Sequence, residues 1–595
     1  ATYFTTWGRG VVANNGPEPG SAITGGAWRN PLETAPMPET SAVYRLGAWD
    51  PHNLPGSDSM TVPMVTLVSV TSDFGVSVLL SPADATLQEV VLNVTATAAD
   101  FSRKYLRLST VPTVVRGAIV AHAGCFRGGL AAGVAQYPAF FEAWHPNASE
   151  FAGMGGYSWT QNFSDVEYRN AVGFKTNWDL SGTFGPYMGL FLPYAEEWVN
   201  LGYGLPKYNV TFDTIRNDYA NIVARGFHTL SYFNVAEWGT DITLPPPAGS
   251  QASCGLRPTG EEAPCAEGTG ASSAFLAKYM PTALLTSGWS VPGGWVDGRI
   301  KSWDGCTVLD AGDYSYQMLL VEQAQAHIAN LSDTFEGITI DRLDHTSLYN
   351  FDADDGMSWV PLSANGSYAP ARSLRVSFRE VVMAIHEVYH TGDSPRLIWM
   401  NCNALCRTDL MFGADGLFSE GSALNAVAWG TLRTPGVLWT YKLAGLSGAA
   451  LDDYFQQHLL MGVAPMAPIP DNDHSIQPGN TTIEAYYKTY APMFASVSPC
   501  KWRLVPHAVS VVEGVANAFD CSAGVVVVAV LGGSGPLEVT ANVLAAQATF
   551  AVSVQLVGSA TWAPAGNVTS SATGFVTAKV DRARGAACVR LEEVQ

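Results

Sequence analysis

The 595 residues carry 32 Lys and Arg against 52 Asp and Glu, a net charge of −20, and are 47% apolar, 11% aromatic and only 14% charged. An apolar fraction of that size excludes wholesale disorder. The acidic balance excludes nucleic acid or an anionic membrane as partner, because phosphate binding needs concentrated Lys and Arg.

No run approaches the ~20 apolar residues of a membrane span, and the most apolar stretch, Val525–Leu531, is strand-sized. Low charge with 58 Gly, 35 Pro and 17 Trp suits a loop-rich extracellular chain. A start at Ala1 in polar, Trp-containing sequence is what a processed mature protein would show. Eight Asn-x-Ser/Thr sites, at Asn93, Asn147, Asn162, Asn209, Asn330, Asn365, Asn480 and Asn567, agree with a secreted glycoprotein. So do the nine cysteines, among them Cys254 with Cys265 and Cys402 with Cys406. None forms a CxxC pair or a Cys/His cluster of zinc type, so disulfides are expected, with at least one thiol left over.

Residues 1–135 read as an N-terminal β-sandwich. Met60–Thr71, Phe74–Ser81 and Gln88–Thr97 are Val/Leu/Thr-rich runs between Ser-Asp and Pro-Ala-Asp breaks. Residues 136–185, rich in Trp, Tyr, Asn and Gly without a clear period, read as a connecting segment. Over 186–498 short apolar runs alternate with helical spacing. The runs are Met188–Tyr194, His228–Asn234, Cys306–Asp310, Gly337–Asp341, Leu397–Asn401, Gly416–Glu420, Gly436–Lys442 and Val463–Pro468. The clearest helical stripe is Leu374, Phe378, Val381, Ile385 and Val388, with further stripes at Phe212, Ile215, Tyr219, Ile222 and at Leu320, Ala324, Ile328, Leu331. Eight buried-type strands predict a (β/α)8 barrel rather than a doubly wound open sheet. Residues 499–595 return to alternating strands and predict a small C-terminal β-sandwich.

A barrel of this kind carries its chemistry at the C-terminal ends of its strands. Gly337–Asp341 ends on a carboxylate and runs into Arg342, Asp344 and His345; Gly416–Glu420 ends on a second carboxylate. Two carboxylates across a barrel mouth are what glycoside cleavage requires, one as nucleophile or base and one as acid. Asp341 and Glu420 are therefore the catalytic candidates. Asp310, Arg342, Asp344, His345, Asn401, Trp238, Trp439 and Lys442 are candidates for substrate binding. For Asp310 loop structure is an equal reading, His345 could brace Asp341, and Trp399 reads as core. Asp415 begins the Gly416–Glu420 strand and so belongs to the opposite end. No metal ligand set is expected; the acidic run Asp352–Asp355 suggests structural calcium only faintly, since the full ligand spacing is absent. The chain contains no GxxxxGK[ST], no GxGxxG between strand and helix, and no GxSxG.

A β-sandwich, a (β/α)8 barrel with one carboxylate after strand four and another after strand six, and a small β-domain together resemble the retaining α-glycosidases, namely the α-galactosidases and the α-glucosidase/α-xylosidase superfamily. The resemblance implies Asp341 as nucleophile and Glu420 as acid/base. Those families mostly use Asp as acid/base, and their Lys-Trp-Asp or Asp-Met-Asn strings are absent. A Glu in that role is more similar to the endo-α-N-acetylgalactosaminidase group. Gly337–Asp341 with His345 is also similar to the α-amylase strand-four motif, which carries Arg where Thr339 stands. The expectation is a secreted glycoside hydrolase acting on α-linked oligo- or polysaccharide with retention, without a cofactor. The rival is a non-catalytic carbohydrate-binding or cell-surface structural glycoprotein on the same scaffold.

Overall fold

The computed structural model describes residues 2–6, 35–36, 42–46, 64–69, 74–80, 89–94, 98–104, 117–123, 154–156, 166–177, 197–199, 209–238, 281–283, 289–291, 294–296, 307–331, 335–341, 343, 349–356, 358–361, 368–392, 395–401, 410, 413–420, 424, 436–439, 446–465, 481–505, 507–582 and 585–594. The first 123 residues contribute two antiparallel sheets. One runs Ala35–Pro36, Thr2–Thr6, Met64–Ser69, Phe74–Leu80, Gly117–Ala123; the other runs Ala42–Leu46, Glu89–Val94, Ala99–Lys104.

The middle of the chain is a series of short parallel strands. They are β1 (Met154–Gly156), β2 (Phe174–Asn177), β3 (His228–Thr229 and, after Leu230, Ser231–Asn234), β4 (Gly337–Asp341), β5 (Leu397–Asn401), β6 (Gly416–Glu420), β7 (Gly436–Trp439) and β8 (Val463–Pro465). Each pairs in parallel with the next, β3 using its first half for β2 and its second for β4. The last strand, β8, also lies against the first. The helices between and after them are α1 (Val166–Ala171), α2 (Phe212–Val223), α3 (Tyr314–Leu331), α4 (Leu374–Tyr389), α5 (Gly448–Met461) and α6 (Thr481–Val497). Parallel strands need such crossovers, because no hairpin can reverse the chain between them.

Two differences from the sequence reading stand out. Strands β1 and β2 fall inside 136–185, read as a connection. They are three and four residues long, and Met154-Gly-Gly156 is too short and glycine-rich to show a period. The run Cys306–Asp310 is not a member of the series: Thr307–Val308 pairs antiparallel with Glu237–Trp238. The run Met188–Tyr194 lies outside the described residues, as do Cys254, Cys265, Cys402 and Cys406.

The helical stripes bury as their spacing requires. Phe378, Val381 and Ile385 of α4 and Leu320, Ala324 and Leu331 of α3 enter one continuous core with Ile338, Ile340, Ile398, Met400 and Leu417 of the strands, and Leu374 is buried as well. Ser373 caps α4, its hydroxyl accepting the Arg375 N–H at 3.2 Å. Across the sheet Tyr232, Thr339, Trp399 and Gly416 form one register row. A Cβ on Gly416 would fall inside the Trp399 indole, so glycine is what lets this tryptophan, 1% exposed, fill the row.

The C-terminal residues form strands β9 (Lys501–Trp502), β10 (Val509–Val511), β11 (Val515–Ser522), β12 (Val525–Leu531), β13 (Leu537–Asn542), β14 (Thr549–Leu556), β15 (Ala563–Thr569), β16 (Phe575–Val580) and β17 (Ala587–Glu593). The antiparallel sheets β9-β11-β12-β17-β14-β15 and β10-β13-β16 share a core of Val526, Val528, Val530, Val539, Val576 and Val589, which makes a sandwich. The alternate residues of β12, Val527, Ala529 and Leu531, pack with Tyr454 and Phe455 of α5 and Tyr487 and Phe494 of α6. Asn517 Nδ2 donates to the Leu460 carbonyl at 2.9 Å and Trp502 Nε1 to that of Met461 at 2.8 Å, closing the end of α5 at Gly462, whose φ is 68°. A Cys500–Cys521 disulfide ties the end of α6 to β11, and Cys588 is a buried free thiol.

Two histidines are locked neutral in this core. Nδ1 of His327 donates to the Gln323 carbonyl at 2.7 Å and Nδ1 of His458 to that of Val463 at 2.8 Å; burial pushes both from the ordinary 6.5 down to about 4. A depressed imidazole stabilises the fold above its unfolded value and loses that contribution as pH falls toward the folded one. The urea midpoint of unfolding should therefore decline on acidification from about pH 6.5 toward about 4; a flat midpoint across that window would contradict the buried placement.

Candidate active site

Asp341 closes β4 at its C-terminal end, 9% exposed. Its two oxygens are held from the two neighbouring strands. The Tyr232 hydroxyl of β3 donates to Oδ2 at 2.5 Å, and Asn401 Nδ2 of β5 donates to Oδ1 at 2.8 Å. Both donors are 2% exposed. Parallel pairing places Asn234 opposite Asp341 and Asn401 opposite Phe418. Side chains alternate along a strand, so backbone positions 341, 401, 418 and 420 share one face of the sheet. Glu420 ends β6 opposite Trp439 of β7.

Tyr232 is the residue the sequence reading missed. It sits in the apolar run His228–Asn234, and only the β3/β4 register, Tyr232 opposite Thr339, reveals that its hydroxyl reaches the next strand's last residue. Asn401, read as a substrate-binding candidate at a strand end, holds Asp341 directly. For Glu420, Trp238 and Trp439 the strand backbone is described and the side chain is not. Arg342, Asp344, His345 and Lys442 lie outside the described residues.

Asp310 is not brought to this face. It is 0% exposed and accepts hydrogen bonds from Ser377 Oγ of α4 at 2.5 Å, the Gly312 N–H at 2.9 Å and Asn350 Nδ2 at 2.9 Å, with Arg372 Nη1 3.8 Å away. Burial raises its carboxyl above the ordinary 3.8, against the pull of those donors and of Arg372. Asp310 pins the loop after Val308 to α4 and to Asn350. In the acidic run Asp352 and Asp354 are exposed, and the carboxylates of Asp354 and Asp355 serve the local backbone. Asp355 accepts from the Ser358 N–H at 2.6 Å, its hydroxyl at 2.5 Å and the Ser373 N–H at 3.0 Å, and Asp354 accepts from the Gly356 N–H at 2.8 Å. Among the described residues no three His, Cys, Asp or Glu gather as a metal site, and no helix is long and apolar enough to cross a membrane.

The opposite end of the strands is occupied by carboxylate–histidine pairs that serve the backbone. Asp415, one residue before β6, accepts from the Ile398 N–H at 2.8 Å and lies 2.9 Å from His390 Nε2; Glu336, one residue before β4, accepts from the Thr229 N–H at 2.5 Å and lies 2.9 Å from His228 Nδ1. Trp399 is core.

No protein-family model matches the sequence, and no curated protein matches it. Its structure is similar to those of several glycoside hydrolases at low identity. An α-amylase from Geobacillus thermoleovorans, complexed with acarbose, is 11% identical over 73% of this chain and 91% of its own, with a TM-score of 0.38. A GH36 α-galactosidase from Geobacillus stearothermophilus is 10% identical over 94% and 72%, with a TM-score of 0.46. A cycloalternan-degrading enzyme from Trueperella pyogenes, in complex with isomaltose, is 11% identical over 100% and 79%, with a TM-score of 0.48.

Removing the Asp310 carboxylate strands two buried donors, Ser377 Oγ and Asn350 Nδ2, each costing about 1–3 kcal/mol when unsatisfied, and the part-buried Gly312 N–H. Asp310→Ala should lower the thermal midpoint by several degrees while leaving KM for a glycoside substrate unchanged. A raised KM at unchanged midpoint would return Asp310 to the binding surface.

Proposed function

We propose that this chain is a glycoside hydrolase whose eight parallel strands close into a (β/α)8 barrel and which cleaves α-linked glycans with retention, through Asp341 as nucleophile and Glu420 as acid/base. The contact of β8 with β1, and of Phe174 in β2 with Tyr487 in α6 at a ring separation of 5.8 Å, supports closure. The observation that carries the catalytic reading is the suspension of Asp341 between two strands. A carboxylate fixed by a donor on each oxygen, at the C-terminal end of a parallel strand, is oriented before substrate arrives and need not reorganise in the transition state. Position 420, one strand beyond Asn401 and on the same face, is where a second carboxylate would stand across the mouth.

In the first step an Asp341 oxygen attacks the anomeric carbon, the glycosidic bond breaks, and the departing oxygen takes the Glu420 proton. In the second, Glu420 removes a proton from water, water attacks the same carbon, and the bond to Asp341 breaks. The α-linkage and retention rest on the resemblance read from the sequence. Asp341→Asn should fold like the parent and lose turnover by several orders of magnitude. Glu420→Ala should slow glycosides with poor leaving groups far more than activated aryl glycosides, and azide should restore part of the loss, because a small anion needs no general base. Near-parental turnover by the Asn variant overturns the assignment of Asp341; equal losses without azide rescue overturn that of Glu420.

The secretory reading is part of the same proposal, and the two sequons whose side chains are described differ sharply. Asn567 is exposed on β15, at the edge of its sheet, opposite Ala551 of β14. Asn330 is in α3, where its Nδ2 donates to the Ala326 carbonyl at 2.9 Å and its own carbonyl accepts Arg216 Nη1 at 2.8 Å. Glycopeptide mass spectrometry of chain secreted by a eukaryotic host should show Asn567 occupied and Asn330 bare. The reverse pattern would contradict the placement of both.

A further inference from the structure

The geometry points to Tyr232 as a positioning residue that sets the lifetime of the covalent glycosyl-enzyme, by stabilising Asp341 as the group that leaves in the second step. The inference rests on the double displacement proposed above and goes beyond it, since neither the sequence motif nor the two-carboxylate scheme assigns a role to β3.

Tyr232 is 2% exposed, and its O–H meets Asp341 Oδ2 at 2.5 Å, the short range of a hydrogen bond to a charged acceptor. Such a bond is about twice as strong as one to a neutral acceptor. Its strength therefore follows the charge on Asp341 through the reaction. In the first step an Asp341 oxygen gives an electron pair to the anomeric carbon and the carboxylate becomes a neutral ester, so the phenol loses part of its bond. In the second step water adds to the anomeric carbon, the carbon–oxygen bond of the ester breaks, and its electron pair returns to Asp341 while the water proton passes to Glu420. The phenol then regains a charged acceptor. A donor of this kind favours breakdown of the intermediate over its formation. Asn401, on Oδ1 at 2.8 Å, acts in the same sense through a neutral amide N–H. The opposed placement of the two donors, one per oxygen and one per neighbouring strand, also fixes the plane of the carboxylate. The phenol alternates between strong and weak bonding without moving, because β3 and β4 are paired directly from Ser231 opposite Ile338 to Asn234 opposite Asp341.

The test separates this inference from the reading beneath it. The protein is incubated with 5-fluoro-α-D-glucosyl and 5-fluoro-α-D-galactosyl fluorides, and intact and peptide masses are followed with time. A glycosyl adduct on the peptide containing Asp341 should form in the parent chain. In Tyr232→Phe it should form at a similar rate and persist about ten- to a hundredfold longer, the range expected for losing a bond to a charged acceptor. With activated aryl glycosides the variant should show a burst, with kcat and KM lowered together and kcat/KM little changed. Asn401→Ala should lengthen the adduct lifetime in the same direction by a smaller factor, which guards against a peculiarity of one variant. Absence of any adduct on the Asp341 peptide in the parent chain, while activated glycosides turn over, overturns the double displacement and this inference with it. An adduct whose lifetime is unchanged in Tyr232→Phe, or a variant in which kcat and kcat/KM fall by one factor without a burst, overturns the role of Tyr232 alone.

Discussion

Parallel strands impose the constraint from which the rest of this chain follows. Each strand of a parallel pair must be reached by a crossover that climbs back to the starting edge, so a helix lies between strands and the strands are covered rather than solvated. Here that dictates the apolar character of Gly337–Asp341 and Leu397–Asn401, every residue of which is buried. It also leaves one edge where the chain emerges from each strand and can afford polar groups. Asp341 and Asn401 stand at that edge. At the other edge Asp415 and Glu336 serve the backbone of the neighbouring strand, to Ile398 and Thr229. The same residue type thus has two uses, separated only by which end of a strand it occupies.

A buried carboxylate is costly unless its oxygens are satisfied. Asp310 and Asp341 meet that requirement in contrasting ways. Around Asp310 the donors come from a helix, a turn and a separate hairpin strand, Ser377, Gly312 and Asn350, and the group is closed off entirely. Around Asp341 the described donors come from the flanking strands, at the level of the sheet, and the group keeps a fraction of exposure. The first arrangement welds a loop to a helix; the second fixes the orientation of a group that still faces outward.

Much of this was legible in the sequence, for reasons that can be traced residue by residue. The strands Gly337–Asp341, Leu397–Asn401 and Gly416–Glu420 coincide with their apolar runs because each is bounded by a sharp change in polarity. The stripe of α4 was readable because Leu374, Phe378, Val381 and Ile385 keep helical spacing and are buried. Strands β1 and β2 were not readable, since a few residues such as Met154-Gly-Gly156 carry neither alternation nor bulk. The run Cys306–Asp310 misled because a short strand in an antiparallel pair looks the same as the start of a parallel strand; its partner, Glu237–Trp238, is far off in sequence. The Tyr232–Asp341 bond belongs to the same class: a tyrosine in an apolar run reads as core until register is known.

Strand β12 has a consequence for how the molecule comes apart. Val526, Val528 and Val530 belong to the sandwich and Val527, Ala529 and Leu531 to the layer formed with α5 and α6, and the carbonyls of Leu460 and Met461 are capped from the sandwich side. Neither layer can open without exposing apolar surface of the other, so the last two helices and the C-terminal strands form one unit of cooperative unfolding. Hydrogen exchange would register them as a single foldon that crosses the boundary drawn at residue 499. What sequence composition divides into a barrel and an appendage is, in its energetics, one body with a shared wall.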